Sequence, residues 1–203
     1  MGTNGGRLVL LRHGETEWSR SHRHTGGTDL PLTPAGEAAA SALRSRLAGW
    51  SPSAVVVSPL LRARRTAELA GLTDPILDDR LAEWDYGEFE GRTTADVNAE
   101  RAAAGQQPWV LWRDGAPGGE SPDRVGARVD ALLADVGELR RDGDVALVAH
   151  AHILRVLAAR WLGQPVSFGA SLVLDVARVS VLGHEHDWPA VLSWNADGVA
   201  PSA

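Results

Sequence analysis

The 203-residue chain contains no cysteine, which excludes disulfides, thiolate metal sites and a cysteine nucleophile. It contains no lysine either, so all twenty of its cations are arginines. Arginine keeps its charge and forks onto phosphate or carboxylate, although an arginine-only composition is also what a GC-rich genome produces. No run reaches the roughly 18 apolar residues that span a bilayer. The opening MGTNGG lacks the charged-then-apolar pattern of a secretory leader, and position 6 is Gly where a myristoylation motif has Ser or Thr. A cytoplasmic protein with no membrane partner is expected. The formal net charge of −6 argues against a broad nucleic-acid footprint.

What is present is a globular composition. With 44% hydrophobic residues, a chain of this length can hide roughly 70% of its unfolded surface, enough for one domain over residues 1–203. Three short Val/Leu-rich runs, RLVLLR (7–12), AVVVS (54–58) and DVALVA (144–149), read as strands buried on both faces. Helical patterns follow each: 34–49, with Thr33 as N-cap and Pro34 at the first position, 60–71, and about 151–163. Strand–helix repetition predicts an α/β fold with a mostly parallel sheet. Residues 72–119, with short helices near 94–104 and 108–113, read as an excursion over a site. A longer helix is expected from Ser121 to about Arg141, closing strands at 171–183 and 190–195, and fraying in the last eight residues.

In open α/β sheets ligands lie beyond the carboxyl ends of the strands. Three predicted strand ends deliver polar groups there: Arg12-His13-Gly14-Glu15, Ser58 to Arg62, and Ala149-His150-Ala151-His152. If the strands are parallel, Arg12, His13, Arg62 and His150 converge on one edge. Two arginines and two imidazoles around a cavity suit a dianionic phosphate.

LLRHGETEW resembles the signature of the histidine phosphatase superfamily, which includes phosphoglycerate mutases, acid phosphatases and sugar bisphosphatases. HTGGTDLPLTPAGEAAA (24–40), SPLLRARRTAEL (58–69), LAEWDYGEFEG (81–91) and VAHAHILR (148–155) match in order. One RHG tripeptide is a weak signal; five ordered motifs are strong. The resemblance implies a three-layer α/β/α sandwich of the phosphoglycerate mutase-like kind, with a lid-like excursion at about 72–119. It implies His13 as the nucleophile, Arg12 and Arg62 as phosphate clamps, His150, protonated beside a dianion, as a third positive donor, and Glu83 as proton donor and later base. Ser19, His24, Thr25, Gly26, Ala151 and His152 are marked as substrate-binding candidates, with loop packing an equal reading for His152. Neither metal nor other cofactor is implied. The partner is a small phosphate ester, and family members are often homodimers.

Other readings attach to particular residues. Glu15 reads as loop support, Arg64 and Arg65 as a solvated face, and Asp85, Glu88 and Glu90 as neighbours of Glu83 that compete for its role. Histidine pairs at 22/24, 150/152 and 184/186 raise metal binding, but no metallohydrolase spacing accompanies them. Trp109 and Trp112 read as packing, and Trp18 and Trp84 as an aromatic wall. Two departures from the family pattern stand out: Ser19, where mutases carry Asn, and Ala151, where many members carry Gly. The excursion also lacks the mutases' paired-arginine segment. HTGGTDLPLTP, AEWDYGEFEG and PWVLWRDGAPGGES resemble small mycobacterial-type acid phosphatases and the sedoheptulose-1,7-bisphosphatase type found in fungi. The sequence therefore reads as a phosphomonoesterase of acid phosphatase type. Sugar bisphosphatase stands second and phosphoglycerate mutase behind it; an inactive phospho-ligand-binding module is the non-enzyme alternative.

Overall fold

Leu8, Val9, Leu10 and Leu11 are all fully buried, yet they divide between two separate hydrophobic clusters. Because side chains alternate across a strand, this division means that the sheet is covered on both faces. In the computed structural model, which describes residues 5–199, Leu8 and Leu10 share a cluster with Leu132, Leu154 and Leu157. Val9 and Leu11 pack instead with Leu43, Ala63 and Ala67. The result is a three-layer α/β/α sandwich.

Along the chain, β1 (Leu8–Arg12) is followed by the one-turn helix α1 (Glu17–Arg20) and by α2 (Pro34–Arg46). Next come β2 (Ala54–Val57), α3 (Leu61–Leu69) and the two-residue strand β3 (Ile76–Leu77). Helices α4 (Thr94–Ala103) and α5 (Leu111–Asp114) precede the long α6 (Pro122–Leu139). The chain then forms β4 (Val145–Ala149), α7 (Ala151–Trp161), β5 (Val179–Glu185) and β6 (Trp188–Ala196). Thr33 and Ser121 cap α2 and α6 through their hydroxyls, each followed by a proline in the first turn.

The sheet order is β3-β2-β4-β1-β5-β6. The first four strands are parallel, while β5 and β6 run antiparallel to their neighbours. Register sets the site. Arg12 pairs with Ala149, and Val57 with Val148. His13 and His150 therefore leave the sheet at one level, with Ser58 a step beside them.

Three expectations need correction. The predicted strand from 171 begins only at Val179. Residues 172–178 instead cross the strand ends, where Ala177 N–H donates to His13 O and Leu174 O accepts from Arg12. Tertiary hydrogen bonds divert an apolar run that sequence periodicity assigns to the sheet. The 72–119 excursion is also less detached than a lid. It supplies β3, and Leu81, Trp84, Tyr86, Phe89, Val97 and Trp109 belong to the core cluster beside α6 and α7. Nor does the carboxyl end fray at residue 196: Asp197 pairs with Arg46 and Arg178, and Val199 packs on the second cluster. Residues 200–203, and the first four residues of the opening segment read for a leader, lie outside the described residues. Among the described residues no helix is long and apolar enough to cross a membrane.

Candidate active site

A cavity of about 560 Å³ opens over the carboxyl ends of β1 and β4. Arg12, His13, Ser19, His24, Thr25, Glu83, Tyr86, Ala151, His152 and Arg155 help to line it. Another cavity, of about 580 Å³, lies at the opposite edge of the strands around Arg44, Trp50 and Gly71. It contains no imidazole and no carboxylate other than Asp74, so the chemistry concentrates at the first.

His13 is held from three sides. Its N–H donates to Ala149 O at 3.0 Å and its carbonyl accepts from Ala177 N–H at 3.1 Å. Its Nδ1 lies 2.7 Å from Gly14 O. A carbonyl can only accept, so Nδ1 carries the proton and Nε2 keeps its lone pair. That Nε2 has no hydrogen-bond partner among the described residues. Burial, then the charges of Arg12 and Arg62, pull the His13 imidazole down to about 3. The ring is therefore neutral at pH 7, as a nitrogen nucleophile must be.

The loop after His13 rests directly on α2. A Cβ on Gly36 would stand 2.2 Å from Glu15 O, and one on Gly14 would stand 2.5 Å from Gly36 O. Glu15 accepts from Thr33 Oγ1 at 2.8 Å, so it braces the loop and the α2 cap together. Gly36→Ala is expected to cost about 1–3 kcal/mol through forced backbone separation, read as a lower urea midpoint with an unchanged slope.

Arg12 and Arg62 play unequal parts. Arg12 gives one Nη1 hydrogen to Leu174 O. Its Nε is a buried donor with no partner among the described residues, and an unpaired buried N–H is costly unless a ligand completes it. Arg62 is wholly buried. Its Nε donates to His150 Nδ1 at 3.0 Å, Nη1 to Thr28 O, and Nη2 to Thr25 O and Gly26 O. Those bonds engage four of the five guanidinium N–H groups, leaving one on Nη1. Thr66 links both arms of the site: Gly14 N–H donates to its Oγ1, which donates to Arg62 O.

His150 departs from the expectation of a protonated donor. Arg62 Nε–H donates to its Nδ1, so the ring proton is on Nε2, which faces Ser58 Oγ at 2.7 Å. Burial, then the positive charge of Arg62, holds this imidazole well below its ordinary value. His150 is a neutral ring 5.0 Å from His13, centroid to centroid. Positive charge at the cavity wall comes from arginines such as Arg12 and Arg155, while Arg62 and His150 are fully buried and are not among its lining residues.

Glu83 lies at the amino end of α7. Its Oε1 accepts from Trp84 and Ile153 N–H at 2.9 Å each, and Oε2 accepts from His152 N–H at 3.0 Å. α7 has no side-chain cap of its own, so this carboxylate satisfies two of its orphan donors and meets the positive end of its dipole. Burial pushes the carboxyl up, but His152, His150 and the Trp84 N–H outweigh that and hold it well below the usual carboxylate range. Of its neighbours, Glu90 is tied to the Gly26 and Thr28 N–H groups, and Asp85 accepts from Gly87 N–H.

Not every candidate touches the cavity in the same way. Ser19, His24, Thr25, Ala151 and His152 line it. Ser19 Oγ also exchanges bonds with the Thr16 backbone in a capping box. Gly26 lies behind Arg62, not on the wall. Ala151 opens α7 without positive φ, so a side chain is tolerated where relatives use Gly. Trp18 and Trp84 form no wall: Trp84 is fully buried against Glu120 O and Trp112, and Trp18 packs at Gly91. The histidine pairs split because none occupies one strand face: 150/152 straddles a strand–helix junction, and His186 is in a turn with positive φ. Arg64 is exposed and Arg65 pairs with Glu37 and Glu68.

Sequence reasoning overlooked Tyr86 and Arg155, and placed Ser58 at a strand end without a role. Each carried a signal: Tyr86 follows Glu83 by three residues within one motif, and Arg155 follows His152 by three on one helix face. Ser58 ends the β2 run.

Two imidazoles, two arginines and a carboxylate, gathered beyond parallel strand ends in an α/β/α sandwich, suit a phosphate group. Comparison with known proteins agrees, since residues 8–197 match the family model of the histidine phosphatase superfamily (branch 1). The chain belongs to the histidine phosphatase superfamily and is a hydrolase. It is 39% identical to an acid phosphatase of Mycobacterium tuberculosis, over 92% of this chain and 90% of that protein. A sedoheptulose 1,7-bisphosphatase of Saccharomyces cerevisiae is 35% identical over 85% of this chain and 73% of the yeast protein. The structure of an open reading frame product from Mycobacterium tuberculosis superposes with a TM-score of 0.87 at 37% identity, over 94% of this chain and 97% of the other.

Proposed function

We propose that this protein is a phosphomonoesterase of acid phosphatase type that hydrolyses small phosphate esters through a phosphohistidine on His13. The observation that carries the reading is the open, neutral Nε2 of His13 beside the unpartnered buried Nε of Arg12. In the first step Nε2 attacks phosphorus, the P–O bond to the alcohol breaks, and the alkoxide takes a proton from Glu83. In the second, Glu83 as carboxylate takes a proton from water, whose oxygen attacks phosphorus and releases His13 and inorganic phosphate. Arg12 and the remaining Nη1 hydrogen of Arg62 meet the non-bridging oxygens, and each such donor contributes roughly 2.7–4 kcal/mol in the transition state.

Glu83 begins as a carboxylate, so its acid step needs a proton acquired on binding. A phosphate dianion beside it favours that protonation. Two pH effects follow. Turnover of alkyl esters falls as pH rises, because fewer complexes hold protonated Glu83. On the acid side His13 stays neutral down to about 3, so hydrolysis persists at about pH 4 before nucleophile protonation ends it. Glu83→Gln slows phosphorylation by alkyl phosphates about 10²-fold or more and by p-nitrophenyl phosphate much less. Equal slowing in single-turnover experiments refutes the acid role.

Hydrolysis of p-nitrophenyl phosphate with and without chelator tests the reaction class, since chelator-abolished activity revives a metal mechanism. A second reading, hydrolysis of bis-phosphorylated sugars, draws on Arg155. This arginine lines the same cavity as Arg12, packed over Trp112 at 4.6 Å, with Nη1 making no hydrogen bond among the described residues. Relative turnover of sugar bisphosphates and monophosphates decides between the two readings.

A further inference from the structure

Tyr86 and His152 form a pair that the reaction above does not use. Tyr86 Oη lies 2.7 Å from His152 Nδ1. Burial, then the charges of Glu83 and Glu90, hold the phenol well above its ordinary value, so it remains O–H. A phenol that donates to Nδ1 requires a lone pair there, and the ring proton is then on Nε2. In the other tautomer Nδ1–H would donate to Tyr86 Oη, and the hydrogen of that buried phenol would be left without an acceptor among the described residues; Glu83 Oε2, 3.8 Å from Nδ1, is beyond hydrogen-bond reach. That oxygen already accepts from the His152 backbone N–H.

The ring cannot turn away easily. Its face meets Trp112 at 5.2 Å and its edge meets Tyr86 at 5.9 Å, and Tyr86 is itself packed on His24 at 4.7 Å. Tyr86 and Glu83 occupy the Nδ1 edge, which leaves the opposite edge for the cavity that His152 lines. Nε2 has no partner among the described residues and is not one of their buried unpaired nitrogens. A donor is thus presented to the ligand at fixed orientation, which reduces the ordering cost of binding. The carboxylate of Glu83 beside it, before it takes up the proton its acid step needs, disfavours a second anion at this point. A neutral hydroxyl oxygen meets no such repulsion.

We propose that His152, held by Tyr86 with its ring proton on Nε2, binds a hydroxyl oxygen on the alcohol half of the substrate. His152 then selects polyhydroxylated phosphate esters over plain alkyl ones, and Tyr86 is its positioning residue. This inference rests on the phosphomonoesterase reading above.

Ribose 5-phosphate and n-propyl phosphate test it, because both have poor leaving groups but only the first offers hydroxyls. For wild type, kcat/KM favours ribose 5-phosphate. His152→Ala and Tyr86→Phe each reduce that preference about five- to tenfold, and the double variant reduces it no further than His152→Ala alone. Long-range ¹H–¹⁵N spectra, with His152 assigned by its loss in His152→Gln, show the Nε2–H form in wild type and a shift toward Nδ1–H in Tyr86→Phe. Equal loss for both esters in His152→Ala means that His152 acts only through Glu83, and overturns the proposal. So does an Nδ1–H ring in wild type. If wild type hydrolyses no ester at all, the reaction is refuted instead; the tautomer measurement, which needs no substrate, tells the two failures apart.

Discussion

His13→Ala lowers kcat/KM for p-nitrophenyl phosphate by about 10⁴-fold or more, because no other group can take the phosphoryl. Its imidazole neighbour is not a substitute. Both nitrogens of His150 are engaged, by Arg62 Nε and Ser58 Oγ, and the ring is fully buried. Alkaline quench of wild type during turnover traps a base-stable, acid-labile phosphoprotein that the variant does not form. The variant leaves a cavity and an unpaired Gly14 carbonyl, so a far-UV spectrum matching wild type is the control that makes the loss chemical. Turnover by His13→Ala within tenfold of wild type refutes the nucleophile assignment.

The second large effect is Arg62→Met, which removes an internal brace together with the proposed phosphate contact. The carbonyls of Thr25, Gly26 and Thr28 and the Nδ1 of His150 lose their donor together. Leaving such acceptors unpaired costs about 3 kcal/mol or more, which lowers Tm by about 6–12 °C in a chain of this size. Activity falls by about 10²–10³-fold, partly because His150 is freed from its tautomer. Arg62→Lys restores little of either: an ammonium cannot reach four acceptors in a plane. An unchanged Tm in Arg62→Met refutes the bracing role and leaves Arg62 a simple phosphate contact.

These two side chains illustrate how much of the site was legible beforehand. RHG at the end of an apolar run announced His13, and SPLLR announced Arg62. The sequence could not say that Arg62 reaches back to residues 25–28, because those contacts span more than thirty positions and leave no local periodicity. The same limit misplaced the charge on His150. The resemblance implied a cation beside a bound dianion, whereas the protonation of this ring also depends on a guanidinium 3.0 Å away and on complete burial.

Sequence by itself determined the class of fold and the residues of the centre. Val/Leu runs that end in polar groups, Thr33-Pro34 and Ser121-Pro122 at helix starts, and ordered motifs are all local signals of burial and capping. Tertiary structure decided what those signals do not encode. It turned 172–178 out of the sheet, because His13 O and the Arg12 guanidinium offered hydrogen bonds there. It set Glu83 as the carboxylate at the amino end of α7 and ionised it, because backbone N–H groups from two segments converge on its oxygens. It paired Tyr86 with His152 across sixty-six positions. Local pattern fixes where a side chain starts; proton position and partner follow from what folding brings within about 3 Å.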